Sequence, residues 1–289
     1  MFRFGVDTFI WTENFTEKDL WTIARAEEMG FDAIDFAIAH PFSFPVKEVK
    51  AELGKTRLEP VLSTTLGAET NMISPNHNLR AAGVAHMKKM IDIAAYLGAN
   101  IIGGVNYAGW GCLTGAPRTA QEWDWGVSAM KEVVEYAEQT GGIVICVECV
   151  NRFETHFLNI AEDAVKFCRD VGGNNIKVHL DCFHMIREEE SFAGAVETCG
   201  LKYLGYIHVC ESNRGIPGTA LVPFREFFAA VKDIGYTGPL VIESFDPSFV
   251  ELNKNCAIWR RFAETGEELA REGLANLRAI AAEVFKGGS

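Results

Sequence analysis

Three acids and one imidazole stand at the ends of apolar runs in the second half of the chain. Glu148 closes IVICVE, Asp181 closes IKVHLD, His208 falls near the end of YLGYIHV, and Glu243 falls near the end of PLVIES. A carboxylate beside an apolar strand is costly to bury unless a cation or a hydrogen-bond donor meets it. Three carboxylates crowded together without a cation would repel one another and take up protons, so the set makes electrostatic sense around a metal. An oxygen-rich set with one imidazole suits Mn²⁺ or Mg²⁺, with Co²⁺ tolerated, better than it suits a thiolate-type zinc site. Any one of these side chains could be structural and satisfied by a neighbour. Four at successive strand ends argue for a shared role.

Those residues need elements that aim them at one point. Short apolar runs alternate with helical patterns along the whole chain: strands at 4–7, 33–38, 60–65, 99–104, 143–148, 176–181, 203–209 and 239–244. Helices are expected at 16–30, 46–53, 78–97, 120–140, 160–170, 224–234 and 267–285. Thr16 with Asp19 reads as a shortened capping box, and Gly30 and Gly98 as helix stops. Parallel strands need helical crossovers, and eight units of about 30 to 40 residues predict a closed (β/α)₈ TIM barrel. The competing doubly wound sheet would call for a G-x-G-x-x-G after the first strand, and there is none. No linker interrupts the pattern, so residues 1–289 read as a single catalytic domain. In such a barrel the strand ends form the rim on which sites are built, so Glu148, Asp181, His208 and Glu243 are expected to converge there.

Composition narrows the partners. The net charge of −12 and the lack of any Lys/Arg run of five argue against nucleic acid and anionic membrane surfaces. No apolar run of 18 residues reads as a membrane span, and the start MFRFGVDTF does not read as a signal peptide, so a cytoplasmic protein is expected. The eight cysteines are scattered singly and read as free thiols. Cys146 and Cys149 are three apart in a strand pattern and so should face opposite ways, which argues against a zinc knuckle or redox pair.

Longer motifs surround the four strand ends: ECVNRFET from Glu148, LDCFHM from Leu180, HVCESNR from His208 followed by a Pro-Gly, IGYTGP from Ile234 and VIESF from Val241. In these the chain resembles the ketose 3-epimerases of the D-tagatose, D-allulose (psicose) and L-ribulose group, within the xylose-isomerase-like barrels. The resemblance runs nearly the length of the chain and is densest over 148–245. It implies that Glu148, Asp181, His208 and Glu243 hold a divalent metal, and that Glu148 and Glu243 are the acid/base pair on opposite faces of the sugar. It further implies that Glu154, His184 and Arg214 hold oxygens near C1 to C3, that Trp11, Tyr107 and Trp110 wall the pocket, and that the protein is a homo-oligomer, dimer or tetramer. His179 reads as a packing or supporting residue, and His40, His77, His86 and His156 are unassigned. Asp7 departs from the aromatic residue usual on the first strand, and is expected to change how C4 to C6 of the sugar are held.

The chemistry asks for such a set on its own terms. A C3 proton beside a C2 carbonyl is weakly acidic, so its removal needs a cis-enediolate stabilised by a Lewis acid at O2 and O3. Inversion then needs a proton delivered to the other face, which one carboxylate on each side provides in either direction. Arg214 offers a planar fork to sugar oxygens. The loop over 63–71 has no basic cluster, which favours a free sugar over a phosphorylated one. The alternatives are an aldose–ketose isomerase or an epimerase of a modified keto sugar on the same barrel, a metal-dependent phosphodiesterase like endonuclease IV, and a non-catalytic sugar-binding module. The phosphodiesterase would need more His and Asp ligands and a basic track.

Overall fold

The alternating apolar runs become a closed barrel of eight parallel strands in chain order. The computed structural model describes residues 1–287. The strands are β1 (Arg3–Asp7), β2 (Ala33–Ala37), β3 (Glu59–Ser63), β4 (Ile101–Gly103), β5 (Val144–Glu148), β6 (Ile176–Asp181), β7 (Leu204–His208) and β8 (Pro239–Ile242). Closure comes from β1 pairing β8, with Phe4 opposite Leu240 and Val6 opposite Ile242. The helical layer comprises α1 (Trp21–Glu28), α2 (Val46–Leu53), α3 (His77–Leu97), α4 (Ala120–Gln139) and α5 (Ala161–Val171). It continues with α6 (Cys182–Glu188), α7 (Phe192–Tyr203), α8 (Phe224–Asp233), α9 (Val250–Cys256) and α10 (Gly266–Lys286).

Local signals explain most boundaries. Thr119 and Glu122 close a capping box at the start of α4, with Thr119 N donating to Glu122 Oε2 at 2.7 Å and Glu122 N to Thr119 Oγ1 at 3.1 Å. Gly98 ends α3 in the left-handed region at φ 81°, where a side chain would be strained. The Thr16–Asp19 box forms, but it caps a single 3₁₀ turn, Glu17–Asp19, and regular helix starts only at Trp21. The short aspartate arm closes the box across a tighter turn. Helices α6, α7 and α9 were not expected from the sequence. Asp181 caps the first and Ser191 the second, so the chain after β6 turns straight from strand into helix.

Side chains alternate in and out along each strand. Cys146 lies in the small cluster inside the barrel with Ala33, Val61, Tyr206 and Val241, whereas Cys149 packs in the larger core between barrel and helices. The two cysteines therefore face opposite sides, and all eight cysteines are free. Residues of the Glu148 parity point inward near the mouth: Asp7 pairs in register with Asp35, Glu148 with His179, and Asp181 with His208. This inner layer is crowded. A Cβ on Gly103 would lie 2.6 Å from Tyr206 Cδ1 and 3.1 Å from His179 Nδ1, so β4 contributes space for its neighbours' rings.

Candidate metal centre

Glu148, Asp181 and His208 are the last residues of β5, β6 and β7, and Glu243 is the first residue past β8. All four converge on the mouth. Donor atoms of Asp181, His208, Cys210 and Glu243 lie within 4.8 Å of one another, as do those of Glu148, Asp181 and His184, and those of Glu148, His179 and His208. Glu148 thus shares donor groups with Asp181 and with His208, but none with Glu243. The site is buried: the Asp181 side chain is fully enclosed, and those of Glu148 and Glu243 are 9% and 12% exposed.

Asp181 and His208 are held from behind. Asp181 Oδ1 accepts from Phe183 N at 2.8 Å, which turns Oδ2 to the mouth. His208 Nε2 lies 3.3 Å from Asp35 Oδ2, which also accepts from Tyr206 Oη at 2.6 Å. With Nε2 engaged there, Nδ1 faces the mouth, 3.5 Å from Glu243 Oε2, buried and without a formed hydrogen bond among the described residues. A metal-binding histidine needs such an arrangement, with one nitrogen anchored to a carboxylate and the other free. The oxygen-rich donor set and this orphaned nitrogen fit a divalent cation.

Arg214 reaches into the same group. Its Nη1 donates to Asp181 Oδ2 at 2.8 Å and Glu243 Oε2 at 2.5 Å, and its guanidinium lies 4.0 Å and 5.2 Å from the ring centres of Phe183 and Phe245. The backbone of Arg214 has φ 61°, a conformation that costs a non-glycine residue energy. Arg214 N donates to Glu211 O, and Ser244 Oγ donates to Arg214 O at 2.5 Å, so both neighbouring loops hold the strained turn.

The charges set the two mouth carboxyls apart. Burial, then Glu243 and Asp181, push the Glu148 carboxyl well above the usual range, against the pull of His208 and Arg214. Burial also works to raise Glu243, but Arg214 and then His208 outweigh it and bring it down to about 2. Carboxyls whose environments push their pKa values apart are suited to acid and base roles. Burial opposes charge on His208, but Glu243 and Asp35 outweigh it and push its pKa well up, so a cation would displace a proton there.

A cavity of about 470 Å³ opens above the group, lined by Glu148, Glu154, His184, Arg214 and Glu243 together with Phe9, His40, Trp110, Phe183, Phe245 and Asn255 among others. His184 Nδ1 accepts from Asn151 N at 3.1 Å, which leaves Nε2 to face Glu148 at 3.6 Å and Asp181 at 3.7 Å. Glu154 Oε2 accepts from Trp110 Nε1 at 2.7 Å and Oε1 from Asn151 Nδ2 at 2.8 Å. Glu154, His184 and Arg214 therefore share one wall of the cavity.

The structure corrects other expectations. Asp7 does not reach the far end of the cavity; it is fully buried, and its Oδ1 accepts from Phe9 N at 2.6 Å. That cap starts a 3₁₀ turn, Thr8–Ile10, which sends Phe9 to the cavity while Trp11 packs against Trp21. Tyr107 is also fully buried; its Oη donates to Glu148 O at 2.8 Å, and its ring stacks on Phe157. Of the three expected wall aromatics, Trp110 lines the cavity. Among the unassigned histidines, His40 lines it, His86 binds Thr64 Oγ1 at 2.8 Å, His156 faces Glu122 at 3.1 Å, and His77 opens α3. Asp35, Tyr206 and Cys210 were not singled out from the sequence. An acid inside the apolar run AIDFAI was a readable signal for Asp35.

The family description for xylose isomerase-like TIM barrels matches residues 23–280. The L-ribulose 3-epimerase of Mesorhizobium japonicum is 32% identical over 278 residues, covering 95% of this chain and 93% of that protein. The ketose 3-epimerase of Arthrobacter globiformis is 33% identical, covering 96% of each. The crystal structure of D-allulose 3-epimerase from Methylomonas sp. in complex with D-allulose matches with a TM-score of 0.91 at 31% identity over 96% of each chain.

Proposed function

Since the chain belongs to the xylose isomerase-like TIM barrels, and within them to the ketose 3-epimerases, it is an enzyme of the isomerase class, and we propose that it interconverts C3 epimers of a free ketose. The observation that carries this reading is the pair Glu148 and Glu243, two carboxyls that line one cavity and that each lie beside Asp181 and His208. The fructose/allulose, tagatose/sorbose and ribulose/xylulose pairs are the substrates to examine, and the whole chain acts as one catalytic domain.

Glu148, Asp181, His208 and Glu243 would hold a divalent cation, Mn²⁺ by the hardness of the set, with Mg²⁺ or Co²⁺ as substitutes. When bound, the cation supplies Lewis acidity toward the oxygens on C2 and C3. Glu243, held as a carboxylate by Arg214, would take the C3 proton on its face, and Glu148 would return one on the other. The reverse reaction exchanges the roles. Arg214 Nη2 and His184 Nε2, 3.4 Å apart beside both carboxyls, are donors for the substrate's carbonyl and hydroxyl oxygens. Glu154, fixed by Trp110 and Asn151, accepts from a hydroxyl near C1. Free cysteines throughout suit a reducing compartment such as the cytoplasm, and the working form is read as a homo-oligomer.

The test is incubation of Mn²⁺-loaded protein with D-fructose, D-tagatose, L-ribulose or D-xylulose in D₂O. Deuterium at C3 of both epimers is expected. Label at C1 with formation of an aldose would point to isomerisation instead, and binding without exchange would point to a non-catalytic module.

A further inference from the structure

Cys210 stands two residues past His208, on the segment that follows β7. The thiol is fully buried, and its Sγ is one of four donors, with Asp181, His208 and Glu243, that all lie within 4.8 Å of one another. The Sγ to Glu243 Oε2 distance is 3.9 Å. Sulfur and oxygen bound to one tetrahedral zinc at its usual bond lengths stand about 3.6 Å apart, so only a small adjustment separates this group from a coordinating one. Two further observations point to a cation. His208 Nδ1 is buried, lacks a hydrogen bond among the described residues and faces Glu243 within the group. Arg214 Nη1 lies 2.8 Å from Cys210 Sγ as well as contacting Asp181 and Glu243, so a single positive charge already touches three of the four donors.

Asp181, His208 and Glu243 thus belong to two donor sets. Glu148, which shares one donor group with Asp181 and another with His208, would complete one with oxygen, and Cys210 completes the other with sulfur. Hard cations favour the first and thiophilic cations the second. We propose that Cys210 creates a second metal site overlapping the first, in which Asp181, His208, Glu243 and the Cys210 sulfur take a thiophilic divalent cation of the Zn²⁺, Cd²⁺ or Co²⁺ class. The S–H bond breaks as the sulfur–metal bond forms, and the proton leaves to solvent. The proposal rests on the reading that His208, Asp181 and Glu243 hold a cation at all.

Cobalt titration of the metal-free full-length protein tests it. The wild type should develop a sulfur-to-cobalt charge-transfer band in the near ultraviolet, absent in both Cys210→Ser and Cys210→Ala and retained in Cys256→Ser, which alters the thiol that lines the cavity. Zinc affinity, measured by competition with a chromogenic chelator, should fall at least tenfold in the two Cys210 variants. Their Mn²⁺ affinity, read by electron paramagnetic resonance, should stay within about threefold, which also shows that the variants are folded. A wild type that binds cobalt with no sulfur band, or with a spectrum identical to Cys210→Ser, overturns the second site and leaves the oxygen site standing. A wild type that binds neither Mn²⁺ nor Co²⁺ overturns the metal reading of the proposed function and this one with it.

Discussion

On the β5–β8 arc of the barrel, Glu148, Asp181 and Glu243 surround His208 and Arg214; on the β1–β2 arc, Asp7 and Asp35 lie side by side with the far edge of His208 as their counter-charge. Both arcs bury acid in the same inward layer. Only the first opens to the 470 Å³ cavity, while Asp7 and Asp35 are fully enclosed beneath it. Residue type therefore does not set the role. Access and cation supply do: acids that meet solvent and a guanidinium can exchange protons with a bound sugar, and acids sealed beneath can only orient what lies above them.

The largest effect expected from this contrast is at the cavity. Glu148→Gln and Glu243→Gln should each lower kcat by about 10²- to 10⁴-fold, the usual worth of a placed acid or base, while ketose affinity by calorimetry changes only a few-fold. Arg214→Lys comes next. Lysine cannot contact Asp181 and Glu243 while lying flat between Phe183 and Phe245, so a loss of about 10²-fold in kcat/KM is expected from misplaced substrate. If substitutions at Asp35 with saturating metal cost as much as those at Glu148, the distinction between the arcs fails.

The same contrast explains what could be read from the sequence. The barrel was legible because eight apolar runs and their crossovers leave few other closures, and the rim acids were legible because each ends its run. Glu154, His184 and Arg214 could be singled out through the motifs around those ends, and all three line the cavity. The supporting arc was not. Asp35 sits mid-run, its partner Tyr206 is 171 positions away, and only register brings them to 2.6 Å. Asp7 was legible as a departure, but its direction was not, because the 3₁₀ turn after β1 depends on the bond from Phe9 N. The same turn moved the wall aromatic from Trp11 to Phe9. Tyr107 is buried because Phe157 and Phe167, on a later loop and helix, enclose its ring.

Asp35 gives the intermediate test. If it serves to hold His208 with Nδ1 toward the mouth, Asp35→Asn should weaken Mn²⁺ binding about 10- to 100-fold, the typical worth of a carboxylate behind a metal-binding histidine. Turnover should recover when Mn²⁺ is saturating, which separates positioning from proton transfer. Tyr206→Phe removes one donor to Asp35 and keeps the ring packed against His179, so a loss of only a few-fold is expected. Electron paramagnetic resonance on the free ion reads both, and thermal unfolding guards against a merely weakened fold.

Asp7 gives the smallest effect and the most direct reading of the sealed arc. Burial, then Asp35 and Glu243, push its pKa well above the ordinary 3.8. A carboxyl that holds its proton more tightly folded than unfolded contributes stability that is complete below the unfolded pKa and is lost as pH rises toward the folded one. Asparagine carries no such dependence. Its oxygen can keep the bond from Phe9 N, and its amide is neutral beside Asp35. Asp7→Asn should therefore match the wild type near pH 4 and gain on it as pH rises, because only the wild type must keep a proton on this side chain to stay folded. Urea unfolding at a series of pH values measures the difference. A variant that loses stability most at neutral pH would mean that Asp7 is needed as an anion, and the sealed arc would then hold charge in the same way as the one that opens to the cavity.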